Sequence, residues 1–307
     1  MTAPPAPLHD QRILVAGATG QVGFAVASAL ARNNEVLGLA RLREPSARTR
    51  LEEAGITPVA VDLAGDDLSQ VPEDVDLVLN FSVVKSGDFT YDLRANAEGA
   101  GRLLSRCRRA KAFLHCSTTG VYQDAGATPR KEDAPLGDNH RVMFPTYSIS
   151  KIASETVVRF AAGEFRVPAV IARLGVPYGS NGGWPAIHLI MMQRGIPIPV
   201  CRDDPSLYSP IHEDDILATL PGLLAQAALP PPTFNWTGPE PVGIAEWCRY
   251  LGELTGLSPK FEHSDQTLRS VVADNALLAR RVGQPQVQWR DGMRRMLEAR
   301  HPELLAH

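Results

Sequence analysis

Apolar positions in the first 176 residues fall into short unbroken runs, separated by stretches with helical spacing. "RILVAGA" (12–18) is such a run, ends at a glycine and predicts a buried strand. "QVGFAVASALARN" follows it with Val22, Val26, Ala29 and Leu30 on one helical face. Further strands are predicted at 35–41, 57–63, 75–82, 111–118 and 167–175. Helices are predicted around 51–54, at 92–110 and at 147–163, the last with a stripe of Ile149, Ile152, Ala153, Val157, Phe160 and Ala161. Continuous apolar strands alternating with helices predict an α/β fold, a doubly wound parallel sheet covered on both faces.

Beyond residue 176 the pattern loosens. Residues 177–185, "PYGSNGGWP", read as a loop, and 196–216 as irregular chain with short strands. Helical spacing returns at 218–229, interrupted by Pro221, and again at 243–256 and 291–300, with one more strand at 231–238. This part predicts a smaller α+β lobe laid over the loops of the sheet.

Composition narrows the function. A net charge near −3 gives no electrostatic case for nucleic acid or an anionic membrane. No apolar run reaches the ~18 residues of a membrane span. The N-terminal stretch "MTAPPAPLHDQ" has no apolar core of a secretory signal and reads as a flexible arm over 1–10. Cys107, Cys116, Cys201 and Cys248 are widely spaced, so free thiols in a reducing, cytoplasmic setting are expected and a metal site is not.

Two spacings carry chemistry. "GATGQVG" puts Gly17, Gly20 and Gly23 between the first strand and the first helix. Glycines there permit a tight turn and close backbone approach, and a helix N-terminus attracts a pyrophosphate. The second strand ends at Ala40 and is followed by Arg41, with no carboxylate for a ribose 2′-hydroxyl and a guanidinium available for a 2′-phosphate. NADP(H) is therefore favoured, with NAD(H) as the alternative.

The second spacing is "PTYSISK", with Tyr147 and Lys151 four apart at the start of a helix. Six tyrosines and five lysines give such a pair by chance in ~0.1 of chains of this composition, so the spacing is informative. On a helix the two side chains share a face, opposite the Ile149/Phe160 stripe. An ammonium beside a phenol lowers the phenol pKa and suits it to acid–base work near neutral pH. Ser117, Thr118 and Thr119 end the fifth strand, where hydroxyls face the ligand crevice of a doubly wound sheet.

GxxGxxG, then a hydroxyl cluster before "VY", then YxxxK, resembles the short-chain dehydrogenase/reductase superfamily. Length and C-terminal lobe resemble its extended branch, the NAD-dependent epimerase/dehydratase family. "DL" at 62–63, Asn96, "RLGVPYG" (173–179), "IHEDDI" (211–216) and "FNWTGPEPVGIAEW" (234–247) resemble further family segments. The resemblance implies a Rossmann-like domain over 11–176, with 212–236 returning to it, and a substrate lobe from 177–211 and 237–307. It implies a catalytic set of Thr118, Tyr147 and Lys151, and a homodimer through the helices at 92–110 and 147–163. It implies a cofactor along Gly17, Thr19, Gly20, Gln21, Val22 and Gly23, then Arg41, Asp62 and Leu63. The cofactor would continue past Phe81, Ser82 and Val83 to Tyr147, Lys151, Leu174 and Val176.

Departures from the family concern substrate. Thr119-Gly120 stand where sugar-nucleotide dehydratases carry Asp-Glu, and Tyr208 stands where epimerases carry an arginine for the diphosphate. Val84 and Lys85, with Thr119, Tyr122, Trp184, His188 and Tyr208, are expected to line a largely apolar substrate pocket. The resulting expectation is an NADP(H)-dependent oxidoreductase that interconverts a carbonyl and an alcohol on a small or medium organic substrate. A nucleotide-sugar epimerase working on retained NAD is the alternative, and a cofactor-sensing protein without turnover is a third.

Overall fold

A computed structural model describes residues 8–305 apart from Asp66, so most of the expected N-terminal arm lies outside the described residues. The short apolar runs form parallel strands: β1 (Arg12–Ala16), β2 (Glu35–Ala40), β3 (Thr57–Ala60), β4 (Leu77–Asn80), β5 (Ala112–Thr118) and β6 (Ala169–Leu174). Strand Thr233–Trp236 pairs with β6, and the sheet order runs Thr233–Trp236, β6, β5, β4, β1, β2, β3. Every pairing in this seven-stranded sheet is parallel.

Strands buried on both faces explain the unbroken apolar runs. One cluster, with Ile13, Val15, Leu79 and Leu114, packs on one face; another, with Leu14, Leu37, Val78 and Phe113, packs on the other. Helices α1 (Gln21–Leu30), α2 (Pro45–Glu53), α3 (Phe89–Leu93), α4 (Gly99–Arg106) and α5 (Tyr147–Phe165) connect the strands. Neighbours of β1 are β2 on one side and β4 on the other, so the chain reverses its direction of travel across the sheet at β1. In doubly wound folds that switch point opens the ligand crevice.

The helix expected over 92–110 is α3 and α4 joined by a π turn, Arg94–Glu98, centred on Asn96. A further helix, α6 (Trp184–Gln193), begins at the end of the expected loop 177–185 and runs through residues for which the sequence predicted no element. Its sequence is apolar almost throughout, so it offers no polar face to mark its period. A third apolar cluster gathers Tyr178, Leu189, Trp247, Val271 and Met293 from this C-terminal part.

One expectation is reversed. Helix α5 turns Ser148, Ser150, Lys151, Ser154 and Glu155 inward, and the Ile149/Phe160 side of its apolar stripe outward; Phe160 is 71% exposed. The Tyr147/Lys151 face is the face that meets the protein. The four cysteines are buried and free, and no described helix is long and apolar enough to cross a membrane.

Candidate active site

At the C-terminal edge of the sheet, β1 gives way to α1 through Gly17 and Gly20. Gly17 has φ +79, and a Cβ there would lie 2.8 Å from the Phe81 backbone. A Cβ on Gly23 would lie 2.2 Å from the Gly17 carbonyl oxygen. These glycines let the loop and helix close on each other and leave bare backbone at the crevice. Helix α1 starts with no side-chain cap and no acidic residue in its first turn, so its positive end is open.

Two adjoining cavities fill the crevice. One, of about 240 Å³, is lined by Gly20, Gln21, Val22 and Gly23 at the loop, and by Thr118, Thr119, Tyr147 and Lys151 beyond it. Phe81, Val83, Lys85, Leu174, Val176, Trp184 and Tyr208 complete most of its wall. The second, of about 260 Å³, shares Gly20, Phe81 and Val83 with the first and continues past Gly17, Thr19, Arg41, Asp62, Leu63 and Ser82. An open helix end between two chambers fits a dinucleotide, with a nicotinamide in the first and an adenosine in the second.

Val84 lines the second chamber and not the first, so it faces the expected cofactor path rather than a substrate. Tyr122 and His188 line neither chamber. Tyr122 is fully buried, its hydroxyl donates to Asn235 Oδ1 at 2.5 Å, and the Arg173 guanidinium sits over its ring. His188 stacks on Trp247 and accepts a hydrogen bond from that indole at 2.9 Å. Both residues are spent on packing, which corrects their expected substrate role. Tyr208 presents its ring to the cavity, while its hydroxyl donates to the carbonyls of Leu268 and Arg269.

Lys151 is 2% exposed and its ammonium donates to the Cys116 carbonyl at 2.7 Å. Burial lowers its pKa, and the charges of Cys116 and Glu155 offset part of that. Burial pushes the Tyr147 phenol up to about 12, with the Thr118 hydroxyl partly opposing it. Against the expected lowering by Lys151, the phenol is raised, because desolvation disfavours a phenolate. Beneath Lys151, His115 bonds Ser154 at 2.8 Å and meets Asn80 at 3.3 Å. Burial holds this imidazole neutral, well below its ordinary pKa.

At the adenosine end, Arg41 donates to the Tyr91 hydroxyl at 3.3 Å, and Arg43 approaches Asp62 at 3.7 Å. The segment 81–88 between β4 and α3 is fixed from below. Asn96 accepts from the Val84 amide at 2.8 Å and donates to its carbonyl at 2.6 Å. Asp92 accepts from the Ser86 amide and hydroxyl, and from Thr146 just before Tyr147.

His140, Phe144 and Val271 also line the catalytic chamber and were not among the residues expected there. Phe144 and His140 precede Tyr147 by three and seven residues. A chain entering the helix at Tyr147 has to pass along the cleft, so aromatic and imidazole side chains just upstream were the available signal.

The fold and its two-chambered cleft define a doubly wound α/β protein with its ligand crevice at the switch point. The model of the NAD-dependent epimerase/dehydratase family matches residues 13–226, and the chain belongs to that family. Among solved structures it is similar to UDP-glucuronic acid 4-epimerase from Bacillus cereus, in complex with NAD, at TM-score 0.80 and 20% identity, covering 94% of this chain and 98% of that one. It is also similar to UDP-N-acetylglucosamine 4-epimerase from Methanobrevibacter ruminantium M1, at TM-score 0.81 and 16% identity, covering 95% and 98%. A third is DesIV, a dTDP-glucose 4,6-dehydratase from Streptomyces venezuelae with NAD bound, at TM-score 0.80 and 20% identity, covering 94% and 96%. At these identities the likeness establishes the fold. No curated protein sequence matches the chain.

Proposed function

We propose that this chain is an oxidoreductive enzyme of the epimerase kind, which oxidises and re-reduces a carbinol carbon while a nicotinamide dinucleotide stays bound. The observation that carries the proposal is the meeting of Thr118, Tyr147 and Lys151 in a chamber continuous with the open end of α1. Family membership and the NAD named with similar structures support NAD(H) and a nucleotide-sugar substrate. When bound, the nicotinamide supplies hydride acceptance and donation.

The chain's own residues do the rest. Gly17, Gly20 and Gly23 leave room for the pyrophosphate at the start of α1. Tyr147 is protonated in the resting chamber, so it serves first as a hydrogen-bond donor to a substrate oxygen and as the acid when a carbonyl is reduced. Cationic charge arriving beside the ring lowers its pKa, and Tyr147 then takes the hydroxyl proton in the oxidative direction. Thr118 bonds the same oxygen, and Lys151 holds cofactor hydroxyls from the buried side.

A second reading, net reduction or oxidation of a small carbonyl or alcohol with NADP(H), has its own support. Phe144, Trp184, Tyr208 and Val271 make much of the wall aromatic or apolar, and no described arginine lines the chamber to clamp a diphosphate. The second strand ends at Ala40 with Arg41 beyond it. Mass spectrometry of the copurifying dinucleotide, with calorimetry on UDP- and dTDP-sugars, separates the two. NAD(H) with nucleotide-sugar binding supports the epimerase. No binding of any nucleotide sugar, with stoichiometric NADPH consumption on a carbonyl, would replace it with the reductase.

The outward face of α5, with Ile149 and Phe160 exposed, supports a homodimer through α5 and its neighbour α4. Light scattering should give twice the chain mass, and Phe160→Arg should yield monomer. The four buried free thiols support a reducing, cytoplasmic location.

A further inference from the structure

Two lysines line the catalytic chamber, and one of them has no ion-pair partner among the described residues. The chamber lining includes no carboxylate, and Lys151 is committed to the Cys116 carbonyl. Lys85 makes no ion pair among the described residues; its ammonium lies 4.2 Å from the Phe144 ring centre and 5.7 Å from that of Tyr147. As a residue Lys85 is exposed, while partial burial of its ammonium end lowers its pKa.

This lysine is held in place. The residue before it, Val84, is gripped at both backbone groups by Asn96, and the residue after it, Ser86, is gripped at amide and hydroxyl by Asp92. Asp92 also accepts from Thr146, which ties the Lys85 segment to the start of the Tyr147 helix.

A second polar group, His140, shares the chamber with Lys85. His140 is 7% exposed, lines the same wall and packs edge-on against Tyr147, with ring centres 5.7 Å apart. Its Nδ1 is buried without a hydrogen-bond partner and lies against Gly120, where an added Cβ would sit 2.7 Å from it. One unpaired ammonium beside an aromatic wall suits a compact single anion close to the reacting carbon. A diphosphate would need more than one donor of this strength.

We propose that Lys85 binds a carboxylate carried by the substrate next to its reacting carbon, so that the substrate is a hydroxy or oxo acid and not a neutral alcohol. This rests on Tyr147-centred hydride transfer as the reaction. The acid is either part of a nucleotide-linked sugar or a free organic acid, and the test distinguishes these.

Calorimetry on the NAD⁺-saturated protein would use two matched pairs: UDP-glucuronate against UDP-glucose, and mandelate against 1-phenylethane-1,2-diol. The wild type should favour the acid at least tenfold in one pair, and the pair concerned identifies the source. Lys85→Met should lower the acid-to-neutral affinity ratio at least tenfold, and Lys85→Arg should retain most of it. Absence of acid preference in both pairs, or a preference that survives Lys85→Met, would overturn the assignment. Turnover by Tyr147→Phe is scored separately. Full activity in that variant would remove the hydride-transfer reading, while the affinity ratio still judges Lys85.

Discussion

Tyr147 stands between two opposed influences. Desolvation pushes its phenol up to about 12, while the Thr118 hydroxyl works the other way. A phenol so placed is a competent acid, and it becomes a base only when cationic charge enters the chamber. Replacing Tyr147 with Phe should lower kcat by roughly 10²–10⁴-fold, the usual contribution of a positioned acid–base group. Cofactor affinity should change little, which calorimetry with NAD⁺ and steady-state rates can check together. Tyr122 offers the contrasting case. Its hydroxyl is spent on Asn235, so Tyr122→Phe should cost about 1–3 kcal/mol of stability, by leaving a buried acceptor unpaired. The same variant should keep kcat/KM near the wild-type value, with urea unfolding and kinetics as paired readouts. The spacing to Lys151 singled out Tyr147, whereas Tyr122 was expected in the pocket on residue type. Only the direction of each side chain separates them, and that direction is set by distant partners such as Arg173 and Asn235.

Among elements, the strands were the most legible, because a strand buried on both faces writes an unbroken apolar run. Glycines after β1 and the Tyr147/Lys151 spacing were legible for a similar reason: each is local in sequence. Helix α5 was misread because the amphipathic rule assumes an apolar interior. Its inner face instead meets a polar assembly in which Ser117 bonds Glu155 and Glu155 forks onto Arg173. The π turn was invisible in the sequence, yet it places Asn96 where its amide reaches both backbone groups of Val84 and the Ser150 hydroxyl. π turns often occur at functional sites. Asn96→Leu removes all three bonds at once and should loosen the segment carrying Val83 and Lys85. Amide exchange at Val84 should quicken at least tenfold, and KM should rise more than kcat falls. Unchanged exchange at Val84 would mean that the segment is held by Asp92 alone.

At the scale of the molecule, burial of neutral imidazoles couples stability to pH. His115 lies within the sheet, His140 in the catalytic chamber and His188 against Trp247 in the third apolar cluster, so all three regions are involved. Burial holds His115 well below its ordinary pKa, and pushes His140 and His188 down to about 4. An unfolded chain takes up these protons near pH 6.5, while in the folded chain His140 and His188 resist until about pH 4 and His115 is likewise held neutral. Their contribution is thus complete above pH 6.5 and is lost as pH falls from there through 4. A shift from 6.5 to about 4 corresponds to about 3 kcal/mol per histidine at most. Asp76, held below the usual carboxylate range by the Arg12 amide and Lys111, weakens the fold only in a more acidic window. The urea midpoint should therefore fall steadily between pH 7 and 5, before carboxylates contribute. His140→Gln and His188→Gln should each flatten that fall, since an amide has no proton to gain. A midpoint that stays level from pH 7 to 5 in the wild type would show that these imidazoles are hydrated in solution and that the chamber around His140 is open to water.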